Sequence, residues 1–93
     1  MATYGERQIG REMLKIPGWK RSGITIRKRI VKKDFISAMA FVQSVAIVSE
    51  QADHHPDIDI RWNTVTLVLT THSKGGLTKK DFVLAARINS LST

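Results

Sequence analysis

The chain contains no cysteine, which excludes disulfides, thiolate nucleophiles and cysteine-ligated zinc. Its 93 residues include no apolar run near the roughly 20 needed to span a bilayer, and the opening MATYGERQIGREM lacks the apolar core of a signal peptide. We therefore expect a cytoplasmic protein with no membrane partner. A chain of this length has room for one hydrophobic core, so we expect a single domain over residues 1–93, with any cleft shallow or shared between subunits.

Acidic residues are scarce, since 8 Asp and Glu stand against 15 Lys and Arg. The excess is N-terminal, because residues 1–33 hold ten of the bases and only Glu6 and Glu12 as acids. Such a patch can attract nucleic acid or an anionic ligand. The stretch ITIRKRIVKK, however, places Ile24, Ile26 and Ile30 even numbers of residues apart, so we favour a strand with a solvated face over a nucleic-acid site.

The apolar pattern changes its period along the chain. Helical spacing over 5–16 gives way to two alternating strands, 19–21 and 24–31, and then to a second helical segment. The remaining elements are that central helix over 35–52 after an Asp34 cap, strands over 58–62 and 64–71 with a tight turn at Asn63, and a last helix begun by Thr78-x-x-Asp81. The order α-β-β-α-β-β-α predicts an α+β fold, a four-stranded mainly antiparallel sheet with the helices packed on one face.

The predicted central helix is more apolar than one buried face requires. A stripe at helical spacing is expected to face the sheet, and it consists of Phe35, Ala38, Met39, Val42, Val45 and Ala46. Ile36, Phe41, Ile47 and Val48 widen the apolar surface beyond that stripe. This excess indicates a second buried face against another subunit.

Two of the three histidines, His54 and His55, are adjacent and are followed by Pro56. A residue before proline is extended, and consecutive side chains of an extended chain point to opposite sides, so the two rings have different surroundings. The third, His72, ends the last strand just before SKGG. If the last two strands pair, imidazoles and carboxylates cluster near the end of the central helix. The expected cluster is Glu50, Asp53, His54, His55 and His72.

This cluster is compatible with several roles. Metal binding is disfavoured because the His-x-His and His-x-x-x-His spacings are absent, and nucleophilic catalysis because no serine has a nucleophile-elbow context. Acid/base catalysis fits, since a histidine with a pKa near about 6.5 can give and take a proton at neutral pH. The residues alone give equal weight to a structural role, in which loop histidines cap backbone groups. Asp81 likewise suits a helix-capping role that needs no catalysis.

Two separated motifs stand in register with each other. EQADHHPDIDI, followed by NTVTLVLTTHSKGGLTKKDFVLAARI, resembles the pterin-4a-carbinolamine dehydratase family. GWKRSGITIRKRIVKKDFISAMAFVQSVAIVSE resembles the first hairpin and long helix of that family, so the resemblance covers about residues 19–91. It implies a hydro-lyase that dehydrates 4a-hydroxytetrahydrobiopterin to quinonoid dihydrobiopterin, in recycling of the cofactor of aromatic amino-acid hydroxylases. No metal and no organic cofactor are implied.

The resemblance also implies roles for individual residues. Positions matching His54 and His72 are the leading acid/base candidates, while those matching His55 and Asp81 help to hold the pterin or to orient the histidines. These four residues are the predicted catalytic set. The substrate-binding residues that the resemblance implies are Glu50, Asp53, His54, His55, Pro56, Thr70, Thr71, His72 and Ser73.

Members of the family form dimers or tetramers built on the central helix and the sheet edges. The resemblance therefore implies a homodimer or homotetramer with a pterin substrate. Animal members also bind a homeodomain transcription factor as a coactivator through the same helical face. The alternative function is therefore a non-enzymatic helix-binding, transcription-coactivator or nucleic-acid-binding module on this fold. A third possibility is a role in another pterin pathway. The intact HHPD and TH motifs favour the enzyme.

Overall fold

The computed structural model describes residues 2–91. The elements in chain order are α1 (Glu6–Met13), β1 (Lys20–Ser22), β2 (Thr25–Val31), α2 (Phe35–Ala52), β3 (Asp57–Arg61), β4 (Thr64–Leu69) and α3 (Lys79–Asn89), with a short 3₁₀ turn at His72–Lys74. The predicted α-β-β-α-β-β-α order is confirmed. The bounds of the elements differ from the predicted ones by a few residues at their ends.

The four strands form one antiparallel sheet in the order β1-β2-β4-β3. In the central pair, Ile26 lies opposite Leu69 and Ile30 opposite Val65. Side chains alternate between the two faces of a strand, so these residues point to the same face. The helices cover that face, where Ile26, Val65 and Leu69 are fully buried. The predicted alternation of β4 is therefore confirmed.

The predicted tight turn between β3 and β4 is present. Arg61 pairs with Thr64, so Trp62 and Asn63 alone form the loop, and Trp62 has a left-handed backbone with φ of 52°. Asn63 fastens this turn to the end of β2, because its Nδ2 donates to the Lys32 carbonyl at 2.9 Å and its carbonyl accepts from the Lys32 amide at 2.8 Å. The Trp62 side chain is left 69% exposed.

The helix α2 has a different buried face from the one predicted. Phe35, Met39 and Ala46 were expected to face the sheet, but all three are exposed. The buried residues of α2 are Ala38, Phe41, Val45, Val48 and Ser49. Because α2 carries apolar side chains on nearly every side, periodicity alone does not fix which side meets the sheet. The other apolar side chains of α2 form an exposed face, which agrees with the predicted excess of apolar surface on this helix.

A polar network joins the end of α3 to the first hairpin. The Asn89 side-chain oxygen accepts from Trp19 Nε1 at 2.9 Å and from Lys28 Nζ at 2.7 Å, and its amide donates to the Pro17 carbonyl at 3.0 Å. Burial lowers the pKa of Lys28. Trp19 is thus a core residue with its ring nitrogen satisfied, whereas Trp62 is not in the core.

By length and composition alone, α2 is apolar enough to cross a membrane. The core helix of a soluble protein passes the same test, and Phe41, Val45 and Val48 of α2 are buried in the core. The compact packing is consistent with a soluble protein. The cytoplasmic location stays a prediction.

Asp34 caps α2 as predicted, and we expect its contribution to stability to depend on pH. Its carboxylate accepts from the Ser37 amide at 2.7 Å, and this hydrogen bonding holds the pKa of Asp34 below its usual range. A carboxyl whose pKa falls on folding stabilises the fold above its unfolded pKa, and this contribution disappears as pH falls through the folded pKa. Asp34→Ala should therefore lower the midpoint of thermal unfolding at neutral pH, by an amount that shrinks in acid.

Circular dichroism melts over a pH series measure this difference. Asp34→Asn is the matched control, because asparagine keeps an oxygen that can cap the helix and should lose less stability. Equal losses in both variants, unchanged by pH, would contradict the assignment.

Candidate functional site

The end of α2 positions the histidine loop. The helix stops at Asp53, whose backbone is left-handed with φ of 51° and whose amide donates to the Glu50 carbonyl at 3.2 Å. The next amide, that of His54, donates to the Ser49 carbonyl at 3.2 Å. A left-handed residue at a helix C-terminus redirects the chain while the last carbonyls stay paired. His54 therefore leaves α2 in a fixed direction.

The ring of His54 is held by a buried carboxylate. His54 Nε2 lies 2.6 Å from Asp81 Oδ1, and the two side chains are 11% and 0% exposed. Asp81 lies in the first turn of α3, so the pair joins the end of one helix to the start of another. A charge-assisted hydrogen bond of this length is among the stronger polar contacts in proteins.

The second oxygen of Asp81 is also satisfied. Asp81 Oδ2 accepts from Thr71 Oγ1 at 2.8 Å and from the Thr78 amide at 2.9 Å. The Thr78 hydroxyl accepts from the Lys80 amide at 3.2 Å and lies 2.9 Å from Thr71 Oγ1. Thr78 and Asp81 thus form a capping box, which confirms the predicted capping role. The same carboxylate also bonds to His54, so the capping role leaves room for the predicted role in orienting a histidine.

These contacts determine the tautomer of His54. An ionised carboxylate only accepts hydrogen bonds, so Nε2 of His54 is the donor in its bond to Asp81. In the neutral ring, Nδ1 then carries the lone pair, and it is the ring atom that can accept a proton. A histidine oriented in this way is equipped for proton transfer.

His55 has different surroundings from His54, as the sequence predicted. Its Nε2 pairs with Glu50 Oε2 on the surface, where the two side chains are 58% and 76% exposed. His54 is largely buried, so the adjacent rings meet unlike environments. Glu50 and His55 form a separate pair, and neither contributes to the hydrogen bonds of the Asp81 carboxylate.

His72 and Ser73 lie in the exposed 3₁₀ turn that follows β4. The turn is closed by Gly75, which has φ of 67°, and by the bridge between Thr71 and Gly76. A left-handed backbone at this position favours glycine. His72 is the next residue after Thr71, whose hydroxyl donates to Asp81, so the backbone before His72 is held by that contact.

Other predicted binding residues serve the local structure. The Thr70 hydroxyl donates to the Ile24 carbonyl at 2.6 Å and so fastens the end of β4 to the loop between β1 and β2. The Asp53 carbonyl lies 3.4 Å from Lys80 Nζ, and Pro56 is half-buried in the loop before β3. The sequence predictions of the site missed Thr78 and Lys80. The place of Thr78 at the N-cap of α3 and that of Lys80 next to Asp81 could have identified both.

Within residues 2–91, no three side chains of His, Asp or Glu form a group that could hold a metal ion. The expectation of a site without metal or cofactor stays a prediction.

Together, the fold and the site define a small α+β protein in which a buried carboxylate holds a histidine between two helix ends. Residues 2–91 match the family model described as Pterin 4 alpha carbinolamine dehydratase. The chain therefore belongs to the pterin-4a-carbinolamine dehydratase family, as its sequence motifs predicted.

Bacterial relatives match almost the full length of the chain. A protein of Roseiflexus sp. (strain RS-1) is 51% identical over 92 residues, which cover 98% of this chain and 99% of the relative. One of Thermomicrobium roseum is 45% identical over 93 residues, covering all of both chains. Both bear the name pterin-4-alpha-carbinolamine dehydratase only provisionally.

Two solved structures are similar to this one. A Brucella melitensis protein, described as a transcriptional coactivator/pterin dehydratase, has a TM-score of 0.90 at 29% identity and covers 95% of this chain and 96% of its own. A pterin dehydratase-like protein, described as a RuBisCO assembly factor in the alpha-carboxysome, has a TM-score of 0.63 at 22% identity and covers 77% of this chain and 83% of its own. At that identity the second likeness shows the fold alone.

Replacing Asp81 with asparagine should reverse the tautomer of His54. Two donors converge on the Oδ2 position, from Thr71 and Thr78, so the amide oxygen of asparagine is best placed there. The amide NH₂ then faces His54 Nε2, which must accept instead of donate, and the ring proton moves to Nδ1. Long-range ¹H–¹⁵N spectra of the neutral imidazoles measure this change.

The ring of His55, paired with Glu50, serves as an internal control and should keep its wild-type spectrum. An unchanged His54 tautomer in a folded Asp81→Asn protein would show that the carboxylate does not orient the ring.

Proposed function

We propose that the protein catalyses the dehydration of 4a-hydroxytetrahydrobiopterin to quinonoid dihydrobiopterin plus water, in recycling of a tetrahydropterin cofactor. Membership of the family supports a pterin substrate. The observation that carries the reaction type is the hydrogen bond from His54 Nε2 to the buried Asp81, which assigns proton exchange to the other ring nitrogen, Nδ1. Aromatic amino-acid hydroxylases would supply the substrate.

The reaction needs two proton transfers. The departing 4a-hydroxyl takes up a proton and leaves as water, while ring nitrogen N5 loses a proton and the new double bond forms between N5 and C4a. We assign one transfer to His54 and the other to His72. General acid or base catalysis by a positioned histidine contributes roughly 10² to 10⁴ in rate.

Asp81 and His55 have supporting roles in this proposal. Asp81 orients His54, since its carboxylate accepts the hydrogen bond from Nε2 and so fixes which ring nitrogen faces the substrate. His55 lies exposed with Glu50 and is available to the edge of a bound pterin. The adjacent residues Asp53, Pro56 and Ser73 complete the proposed binding surface, with His54 and His72 themselves.

The two threonines of the predicted binding shell use their hydroxyls in contacts within the protein. The hydroxyl of Thr71 donates to Asp81 and that of Thr70 to Ile24, so both are committed to protein partners. We infer that Thr70 and Thr71 fix the position of His72 rather than hydrogen-bond the pterin through their side chains.

His54→Ala and His72→Ala should each slow the dehydration by roughly 10² to 10⁴. The assay generates 4a-hydroxytetrahydropterin in situ with a hydroxylase and follows its disappearance. Arg11→Ala, on the exposed face of α1, is the control and should retain the wild-type rate. The circular dichroism of all three variants should match that of the wild type.

A wild-type protein that gives no acceleration over buffer would overturn the proposal. It would favour the alternative, a helix-binding or coactivator module, which the description of the Brucella melitensis structure pairs with pterin dehydratase. Full activity of a folded His54→Ala variant would reject only the role assigned to His54 and would leave the proposed reaction in place.

We also propose a homodimer or homotetramer that uses the exposed apolar side of α2. Phe35, Ile36, Met39 and Ile47 are 40% to 75% exposed on this one helix. Apolar side chains grouped in this way mark contact surfaces more often than isolated ones do. The same side of α2 would serve the alternative, helix-binding function.

Introducing charge on this side should break the assembly. Ile36→Glu with Ile47→Glu should convert an oligomer at micromolar concentration into a monomer, because burying two unpaired carboxylates is strongly unfavourable. Val83→Glu makes the same kind of change on α3, where Val83 is exposed, and should leave the mass unchanged. Sedimentation velocity measures the mass, and a wild-type monomer would contradict the proposal.

A further inference from the structure

The sheet face opposite the helices contains a basic hollow. Its volume is about 400 Å³, and it is lined by Gly18, Lys20, Arg27, Arg29 and Thr66. A neighbouring hollow of about 500 Å³ shares Arg29 and Thr66 with it and extends toward β3. His54 and Asp81 lie at helix ends on the other side of the sheet, so these hollows are separate from the proposed active site.

The strand register brings the three cations of the hollow together. Lys20 of β1 lies directly opposite Arg27 of β2, and Arg29 lies opposite Thr66 of β4. Arg27 and Arg29 are two residues apart, so they share a face at a separation of about 7 Å. All three cations therefore border one depression.

This arrangement is unfavourable without an anion. Like charges directly opposite each other in an antiparallel pair are destabilising, which applies to Lys20 and Arg27. Among residues 2–91, the ion pairs of basic side chains with carboxylates involve Lys15, Arg21, Arg61, His54 and His55. Within the described part of the chain, Lys20, Arg27 and Arg29 thus have no carboxylate partner.

We propose that this hollow binds a small molecule through a phosphate or pyrophosphate group. The planar forks of Arg27 and Arg29 suit the bidentate recognition of phosphate, Lys20 adds a point charge, and the Thr66 hydroxyl supplies a neutral donor. The volume of the hollow lies within the range of small-molecule sites. A bound phosphate would also relieve the repulsion between Lys20 and Arg27.

A small ligand fits this face better than a nucleic acid does. Single-stranded nucleic acid binds through aromatic rings that stack on the bases, and the residues lining the two hollows include none. The neighbouring hollow also contains Asp59, which pairs with Arg61 at 3.2 Å. The basic surface therefore stops at β3.

Calorimetric titration with inorganic pyrophosphate at low salt tests the proposal. We expect saturable binding that weakens with added salt, because salt screens charge. Arg27→Gln with Arg29→Gln should lower the affinity about tenfold or more, since each hydrogen bond to a charged group contributes substantially. The matched control, Arg7→Gln with Arg11→Gln on α1, removes the same net charge and should bind as the wild type does.

Amide chemical shifts of the wild-type protein provide a measurement that needs no variant. Pyrophosphate should move the signals of Arg27, Arg29 and Thr66 and leave those of His54 and Asp81 in place. Absence of binding at millimolar pyrophosphate, equal loss in both double variants, or shifts centred elsewhere would overturn the proposal. Tight binding of oligonucleotides, with an affinity that rises with their length and no saturable pyrophosphate binding, would also overturn it.

Discussion

The buried carboxylate of Asp81 holds together the three segments that make up the site. It accepts from His54 after α2, from Thr71 after β4 and from the Thr78 amide at the start of α3. A buried charge is costly unless hydrogen bonds compensate it, and here three donors do so. The group that begins α3 is thus the one that orients the histidine, so local stability and proposed chemistry depend on one charge.

The central helix has two apolar sides with different uses. One packs Phe41, Val45 and Val48 into the core, and the other leaves Ile36 and Ile47 exposed. An isolated small domain gains nothing from an apolar surface in water, because exposed apolar area is unfavourable there. The composition of α2 therefore supports the proposed assembly, in which both sides of the helix would be buried.

Much of the fold could be predicted from local patterns. The alternation of Val65, Leu67 and Leu69, the Asp34 cap and the pairing of Thr78 with Asp81 each depend on neighbours in sequence, and each is confirmed. The orientation of α2 could not be predicted, because a helix that is apolar nearly all round has no unique buried stripe.

In the site, too, local features could be predicted from the sequence and long-range contacts could not. The difference between His54 and His55 followed from Pro56 and the extended backbone, which are local effects. The bond from His54 to Asp81 spans 27 residues and needed either a resemblance or coordinates. Thr78 was missed as a site residue because its capping pattern already gave it a structural role, and Lys80 because its contact with the Asp53 carbonyl spans 27 residues.

The pairing of β2 with β4 joins the first hairpin to the second, and the two proposed sites draw on these hairpins differently. The proposed active site uses side chains from residues 50–81, which begin in the last turn of α2, whereas the basic hollow takes Lys20, Arg27 and Arg29 from the first hairpin and Thr66 from the second. Substitution of Arg27 or Arg29 would alter the hollow and leave the contacts between His54 and Asp81 intact. Natural variation could therefore remodel one surface while the other is inherited unchanged.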